Sequence, residues 1–177
     1  KTKGVVEWKV EDLVEDGNSN VRAPLIYDGQ IFFQGGKAVY SVDLKTGEKI
    51  WEQKFGVPHS FHLGSNLVVV DGILIVNPED VGVYGVDPKT GEYLWVNSEI
   101  GGGPTDMVVN DKYVYFTSND NQWMYAIDGT TGEVVWKQKS DWSVNSFFQF
   151  SAVAVNPDLR HVYASDGYFL FCMEMPE

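Results

Sequence analysis

The chain has 177 residues, of which 44% are apolar and 14% aromatic, enough to bury a substantial core and too hydrophobic for a disordered segment. Thirteen basic against twenty-five acidic side chains leave a net charge of −12, and Arg22 and Arg160 are the two arginines. No clustered basic face exists to bind nucleic acid or dock on anionic lipid, and the longest apolar run, residues 67–76, is broken by Asp71 and Gly72, which excludes a helical membrane span.

In chain order, "KGVVEW" (3–8) is a short apolar segment ending in tryptophan. "LIYDGQIFF" (25–33) reads as two strands joined by Asp-Gly, a hairpin signal because both residues accept positive φ. "AVYSVD" (38–43) supplies a third strand, and "DLKTGEKIW" (43–51) a tight turn running into a fourth. The same succession then returns as "LVVVDGILIV" (67–76), "GVYGVD" (82–87) and "DPKTGEYLW" (87–95). It returns again as "MVVNDKYVYF" (107–116), "WMYAID" (123–128) and "DGTTGEVVW" (128–136). A last copy, "AVAVNPDLRHVYA" (152–164) and "LFCME" (170–174), has a longer hairpin turn and stops after its third strand, with Glu174 where the others have aspartate.

Trp51 and Trp95 are 44 residues apart, Trp95 and Trp136 are 41 apart, and Trp8 lies 43 before Trp51. No segment shows helical periodicity. An all-β chain built from four-stranded antiparallel units of this period is the description of a β-propeller. Residues 1–177 then form one domain, with blades at about 9–51, 52–95, 96–136 and 137–177, the last completed by the N-terminal strand at 1–8. Pairing the opening strand with the incomplete last blade removes an exposed edge, and it yields either a four-bladed ring or half of an eight-bladed one. Trp8, Trp51, Trp95 and Trp136 are expected as apolar plates, each docked on an adjacent blade.

"DLKTGEKIW" and its copies resemble the tryptophan-docking repeat of the quinoprotein (pyrroloquinoline quinone, PQQ) dehydrogenase-like propellers. That superfamily also holds the propeller lipoprotein of the bacterial outer-membrane assembly machinery and many extracytoplasmic binding domains. The resemblance implies a periplasmic, cell-surface or secreted location and a propeller fold, and it leaves function open between enzymes and binding modules. Its enzymes carry an adjacent cysteine pair over the cofactor and long insertions, and neither is present here.

Strand counting puts the interblade connections on one face and the Asp-Gly and Thr-Gly-Glu turns on the other. The connections at 16–23, 57–65, 100–106 and 141–150 differ strongly, while the opposite turns are nearly identical. Such divergence marks either binding specificity or relaxed constraint. The resulting candidate rim is Asn20, Arg22, His59, His62, Asp106, Asp141, Trp142 and Gln149. Trp142 with Phe147, Phe148 and Phe150 could stack on a sugar or peptide or simply pack an inner strand. His59 and His62 have no neighbouring cysteine or carboxylate to complete a zinc set, so no metal is expected. The 118–122 stretch "SNDNQ" lacks the spacing and glycine of a calcium loop. Cys172, alone and within a strand, is expected as a small buried thiol. The reading is therefore a non-catalytic binding or scaffolding module without catalytic residues or cofactor. Its ligand is a protein or carbohydrate, and a homodimer forming a larger ring is possible. A quinone-dependent oxidoreductase fragment or a glycan-active propeller enzyme is the alternative.

Overall fold

The computed structural model describes residues 4–11, 13–14, 22–56, 65–79, 81–101, 105–118, 122–139, 153–165 and 169–175. Among the described residues fifteen strands form four antiparallel sheets in chain order. Sheet one contains β1 (Leu25–Tyr27), β2 (Gln30–Gly35), β3 (Ala38–Asp43) and β4 (Lys49–Lys54). Sheet two contains β5 (Val68–Val70), β6 (Ile73–Val76), β7 (Val83–Val86) and β8 (Tyr93–Asn97). Sheet three contains β9 (Val108–Asn110), β10 (Tyr113–Ser118), β11 (Trp123–Asp128) and β12 (Val134–Lys139). Sheet four has three strands, β13 (Ala154–Asn156), β14 (His161–Ser165) and β15 (Leu170–Glu174).

The hairpins follow from their turn residues. Asp28-Gly29 and Asp71-Gly72 take positive φ at both positions, the requirement of the two-residue turn whose twist matches the flanking strands. At the third hairpin Asp111 alone does so, and the longer fourth turn places Arg160 at φ 53°.

Each of the first three sheets carries a β-bulge at one repeat position. Ser41 pairs with Trp51 but Val42 with Lys49, so Ile50 is the extra residue. The same arithmetic singles out Leu94 in sheet two and Val135 in sheet three. An extra residue in one strand redirects the side chains beyond it. Here it turns Ile50, Leu94 and Val135 outward, which accounts for three exposed aliphatics, and leaves the following tryptophan facing inward.

The hydrophobic core lies between sheets. Phe32, Val39 and Trp51 of sheet one meet Leu74, Val76 and Val86 of sheet two. Ile75 and Val83 of sheet two meet Val114, Phe116 and Ile127 of sheet three. Tyr115, Met124 and Ala126 of sheet three meet Val162 and Ala164 of sheet four. A four-stranded sheet cannot bury both faces alone, so stacking supplies the second cover.

The fourth strand expected from residues 5–8 is not formed within one chain. Residues 4–11 adopt no strand, Val5 and Val6 are exposed, and sheet four has three strands among the described residues. The cause is where Trp8 is held. Its ring lies over Gly47 in sheet one, with Val10 beside it and Val14 against Gly35. Sheet four is three interfaces away along the stack. Cys172, expected as buried, is exposed, because no described sheet stacks on its face of sheet four.

Candidate functional site

The two ends of the sheets carry different chemistry. On one end lie the Thr-Gly-Glu turns, whose Asp and Thr side chains close the turns locally. Asp43 Oδ1 accepts the N–H of Lys45 and of Thr46, both at 2.8 Å, while Thr46 Oγ1 accepts the N–H of Glu48 at 3.2 Å. These N–H donors hold the Asp43 carboxyl below the usual carboxylate range. Asp87 with Thr90, and Asp128 with Thr131, repeat the pattern. The turn glycines Gly47, Gly91 and Gly132 have φ between 74° and 79°, a conformation that disfavours any Cβ.

Those glycines also form the floor for an aromatic ring. A Cβ on Gly47 would lie 2.7 Å from Trp8 Cε3, and one on Gly91 2.9 Å from Trp51 Cδ2. Gly132 is covered by Trp95 in the same way. Trp51 is buried and its Nε1 donates to the Pro88 carbonyl at 2.9 Å. Trp95 and Trp136 are half-buried, each packed against the core shared with the following sheet.

Asp128 departs from its counterparts. Burial pushes its carboxyl up, but the Lys112 ammonium at 2.7 Å and the hydroxyl and N–H of Thr130 outweigh this and bring it down to about 2. Near this end, between sheets three and four, a cavity of about 220 Å³ is lined by Asn110, Asp111, Tyr113, Tyr115, Pro157, Arg160 and Met175. The Tyr115 hydroxyl is fully buried without a hydrogen-bond partner among the described residues, and desolvation pushes it up to about 12.

At the opposite end lie the residues that lead into the first strands of the sheets. Arg22, just before β1, pairs with Asp106, just before β9, at 3.5 Å. Asp106 Oδ1 also accepts the Asn66 N–H at 3.3 Å. Asn66, entering sheet two, is clamped to sheet three: its Nδ2 donates to the Met107 carbonyl at 3.1 Å and its Oδ1 accepts the Met107 N–H at 2.6 Å. The residues entering sheets one, two and three therefore meet in one cluster. Arg22 and Asp106 are both well exposed, so their ion pair adds little stability, and their charged ends stay accessible.

Beneath this rim lies a layer of buried polar side chains at the end of the second strands. Gln34 Nε2 donates to the Ser65 carbonyl at 2.9 Å, and Thr117 Oγ1 bonds Thr105 Oγ1 at 3.0 Å. Gln34 Oε1 and Asn77 Nδ2 are buried without a partner among the described residues. Gln34, Asn77, Thr117 and Ser165 occupy one repeat position, directly after Phe33, Val76, Phe116 and Ala164. Sequence reasoning missed this layer, and it missed Asn66. The signal available was a polar residue recurring where the apolar second strand should continue.

Of the rim residues expected from sequence, Arg22 and Asp106 are described and are brought together. Asn20, His59, His62, Asp141, Trp142 and Gln149 lie outside the described residues. Among the described residues there is no group of three or more His, Cys, Asp or Glu placed to hold a metal ion. No described helix is long and apolar enough to cross a membrane.

Comparison with known proteins places this geometry in a family. The sequence matches the family model of the outer membrane protein assembly factor BamB over residues 1–138 and 79–170. No curated protein matches the sequence. The fold is similar to BamB from Moraxella catarrhalis, with 17% identity, a TM-score of 0.67, and coverage of 83% of this chain and 43% of that one. It is similar to the quinohemoprotein alcohol dehydrogenase ADHIIG from Pseudomonas putida HK5, with 17% identity, a TM-score of 0.65, and coverage of 80% and 27%. The computationally designed Ika4 protein is similar over 92% of this chain and 95% of its own, with 14% identity and a TM-score of 0.70. The chain thus spans less than half of the Moraxella catarrhalis protein and about a quarter of the dehydrogenase. With its repeated Asp–Thr–Gly turns, its stacked four-stranded sheets and its match over most of the sequence, the chain belongs to the BamB family of PQQ-like β-propellers.

Proposed function

We propose that this chain is a non-catalytic scaffolding module, one propeller unit over residues 1–177, that binds a protein partner on its interblade-loop end. The observation that carries the reading is the contrast between its two ends. The Thr-Gly-Glu turns are alike in that their Asp and Thr side chains and their glycines are engaged in turn closure and tryptophan packing. That accounts for their repetition without a ligand. At the other end the residues entering sheets one, two and three meet, with the exposed Arg22–Asp106 pair beside Asn66, and the connecting sequences vary from blade to blade. Rigid sheets presenting variable loops are a common arrangement for recognition. Membership in the BamB family supports a partner from outer-membrane protein assembly and an extracytoplasmic location. A carbohydrate ligand on the same rim, and self-association into a larger ring, belong to the same reading.

The test is site-specific photo-crosslinking in a Gram-negative host, with the photoreactive residue placed at Arg22 or Asp106 and, as control, at Lys45 or Lys89 in the opposite turns. Discrete crosslinks to outer-membrane assembly proteins from the rim positions alone are expected. Crosslinks from the turn positions alone overturn the choice of face. An oxidoreductase would instead give a stoichiometric absorbance change with PQQ and calcium.

A further inference from the structure

Of the three junctions between successive sheets, the last is built differently. The contrast lies at three repeat positions: the last residue of the first strand, and the first and third residues of the second. Sheet two has Val70, Ile73 and Ile75 there, and Val70 closes the space against sheet three directly: a Cβ on Gly129 would lie 2.9 Å from the Val70 Cβ. Sheet one has Tyr27, Gln30 and Phe32, and Gln30 Oε1 accepts the Ser41 hydroxyl of its own sheet at 2.5 Å. Sheet three has Asn110, Tyr113 and Tyr115, and between them and sheet four lies the cavity of about 220 Å³. Polar and aromatic residues thus stand where aliphatic packing closes the neighbouring junction.

The cavity has a charged mouth and a phenolic floor. Asp111 and Arg160 are exposed, Asn110, Tyr113 and Met175 are half-buried, and Tyr115 is 0% exposed. The Tyr115 hydroxyl has no hydrogen-bond partner among the described residues. A buried polar group in that condition carries a cost that a bound partner removes. Burial and then Tyr113 push the hydroxyl up, and the Arg160 charge is close enough to pull the other way. The walls are fixed by the fold. The Gly129 N–H donates to the Lys112 carbonyl and the Met175 N–H to the Arg160 carbonyl, both at 2.8 Å, so each hairpin turn is tied to the end of its sheet's third strand. Lys112 Nζ, bonded to Asp128 at 2.7 Å, lies 5.2 Å from the centroid of the Tyr113 ring and holds it in place.

We propose that this cavity binds a free amino acid with an aliphatic side chain, at a site separate from the partner-binding rim on the other end of the sheets. The carboxylate of the ligand accepts from the Arg160 guanidinium and the Tyr115 hydroxyl, a charged and a neutral donor suited to it. The ligand's ammonium faces the Asp111 carboxylate and the Asn110 side-chain carbonyl, and its side chain lies against the Tyr113 ring and Met175. Size and charge both select this class. The cavity of about 220 Å³ equals about seven waters at about 30 Å³ each, which suits a small metabolite and falls below the range of drug-sized pockets. Asp111 and Arg160 balance each other at the mouth. In a chain of net charge −12 a lone anion meets a repulsive field, whereas a zwitterion does not. A lone cation would leave the Tyr115 hydroxyl without an acceptor.

Isothermal titration calorimetry of the purified chain with L-valine, L-isoleucine and L-leucine tests this, with isocaproate and isoamylamine as probes that each keep a single charged end. Saturable one-to-one binding of at least one amino acid is expected, about tenfold or more tighter than either single-ended probe. Tyr115→Phe should weaken that binding about tenfold or more, the loss of one hydrogen bond to a charged group. Arg160→Gln and Asp111→Asn should each do the same, and far-UV circular dichroism of the ligand-free variants should match the wild type. Absence of saturable binding by all three amino acids overturns the proposal. A single-ended probe that binds as tightly as the best amino acid overturns the zwitterion assignment, and wild-type affinity in Tyr115→Phe overturns the location. Crystals grown with the tightest-binding amino acid, in which the cavity holds only ordered water, would overturn it as well.

Discussion

Trp51 and Gly91 offer a sharp test of how the sheets are held together. Trp51 is 8% exposed, its ring centroid lies 5.7 Å from that of Phe32, and its Nε1 bonds the Pro88 carbonyl. Burying an aromatic of about 150–250 Å² at about 25 cal/mol per Å² gives about 4–6 kcal/mol of transfer free energy. Alanine retains part of this, and the indole hydrogen bond adds about 1 kcal/mol, so Trp51→Ala should cost about 4 kcal/mol, within the range for core aromatic truncations. Gly91→Ala meets two separate obstacles. Its φ of 79° costs an L-residue about 1–2 kcal/mol, and its new Cβ would stand 2.9 Å from Trp51 Cδ2 and Cε3. Displacing the ring adds about 1–3 kcal/mol. In a Trp51→Ala background the second obstacle is gone, so Gly91→Ala should there cost only its backbone share. The cycle should show a coupling of about 1–3 kcal/mol. Urea unfolding followed by far-UV circular dichroism measures all four proteins, with unchanged m-values as the check that the unfolded states match. If Gly91→Ala costs the same in both backgrounds, within about 0.5 kcal/mol, the tryptophan and the turn are neighbours without being partners, and the repeated phrase does not couple the sheets.

Two further outcomes follow from the polar groups. Asp128 is held at about 2 in the fold, below its ordinary value of 3.8, so the stability it contributes is complete above pH 4 and is lost as the pH falls through about 2. That contribution is on the order of 1–2 kcal/mol. Acid unfolding of Asp128→Asn should be correspondingly less steep between pH 4 and 2, and an unchanged profile would show that Lys112 and Thr130 do not hold the carboxylate. Tyr115→Phe removes a buried hydroxyl that has no hydrogen-bond partner among the described residues, so thermal unfolding should show stability unchanged or raised. A loss above about 1 kcal/mol would mean that the hydroxyl has a partner in the adjoining cavity.

The repeat, its strands and its turns were legible in the sequence because they rest on local physics. Asp28-Gly29 and Asp71-Gly72 favour positive φ wherever they stand, and the Asp–Thr–Gly turn closes on its own side chains within five residues. The period of the tryptophans likewise indicated stacking, since a single sheet of this length cannot cover both its faces. Tertiary structure decided the rest, where the deciding contact lies tens of residues away. Ile50, Leu94 and Val135 look like core residues and are turned outward by bulges that only pairing with the third strand creates. Arg22 and Asp106 were both rim candidates, but their meeting, with Asn66 between them, depends on three connections arriving together across more than eighty residues of chain. Buried Gln34 and Asn77 escaped notice because their cost appears only when the stacked sheets exclude water. The fate of residues 5–8 was beyond reach for the same reason. Their sequence makes them a strand, but a strand needs an edge to pair with, and the fold carries the edge of β15 to the far end of the stack while Trp8 stays on Gly47.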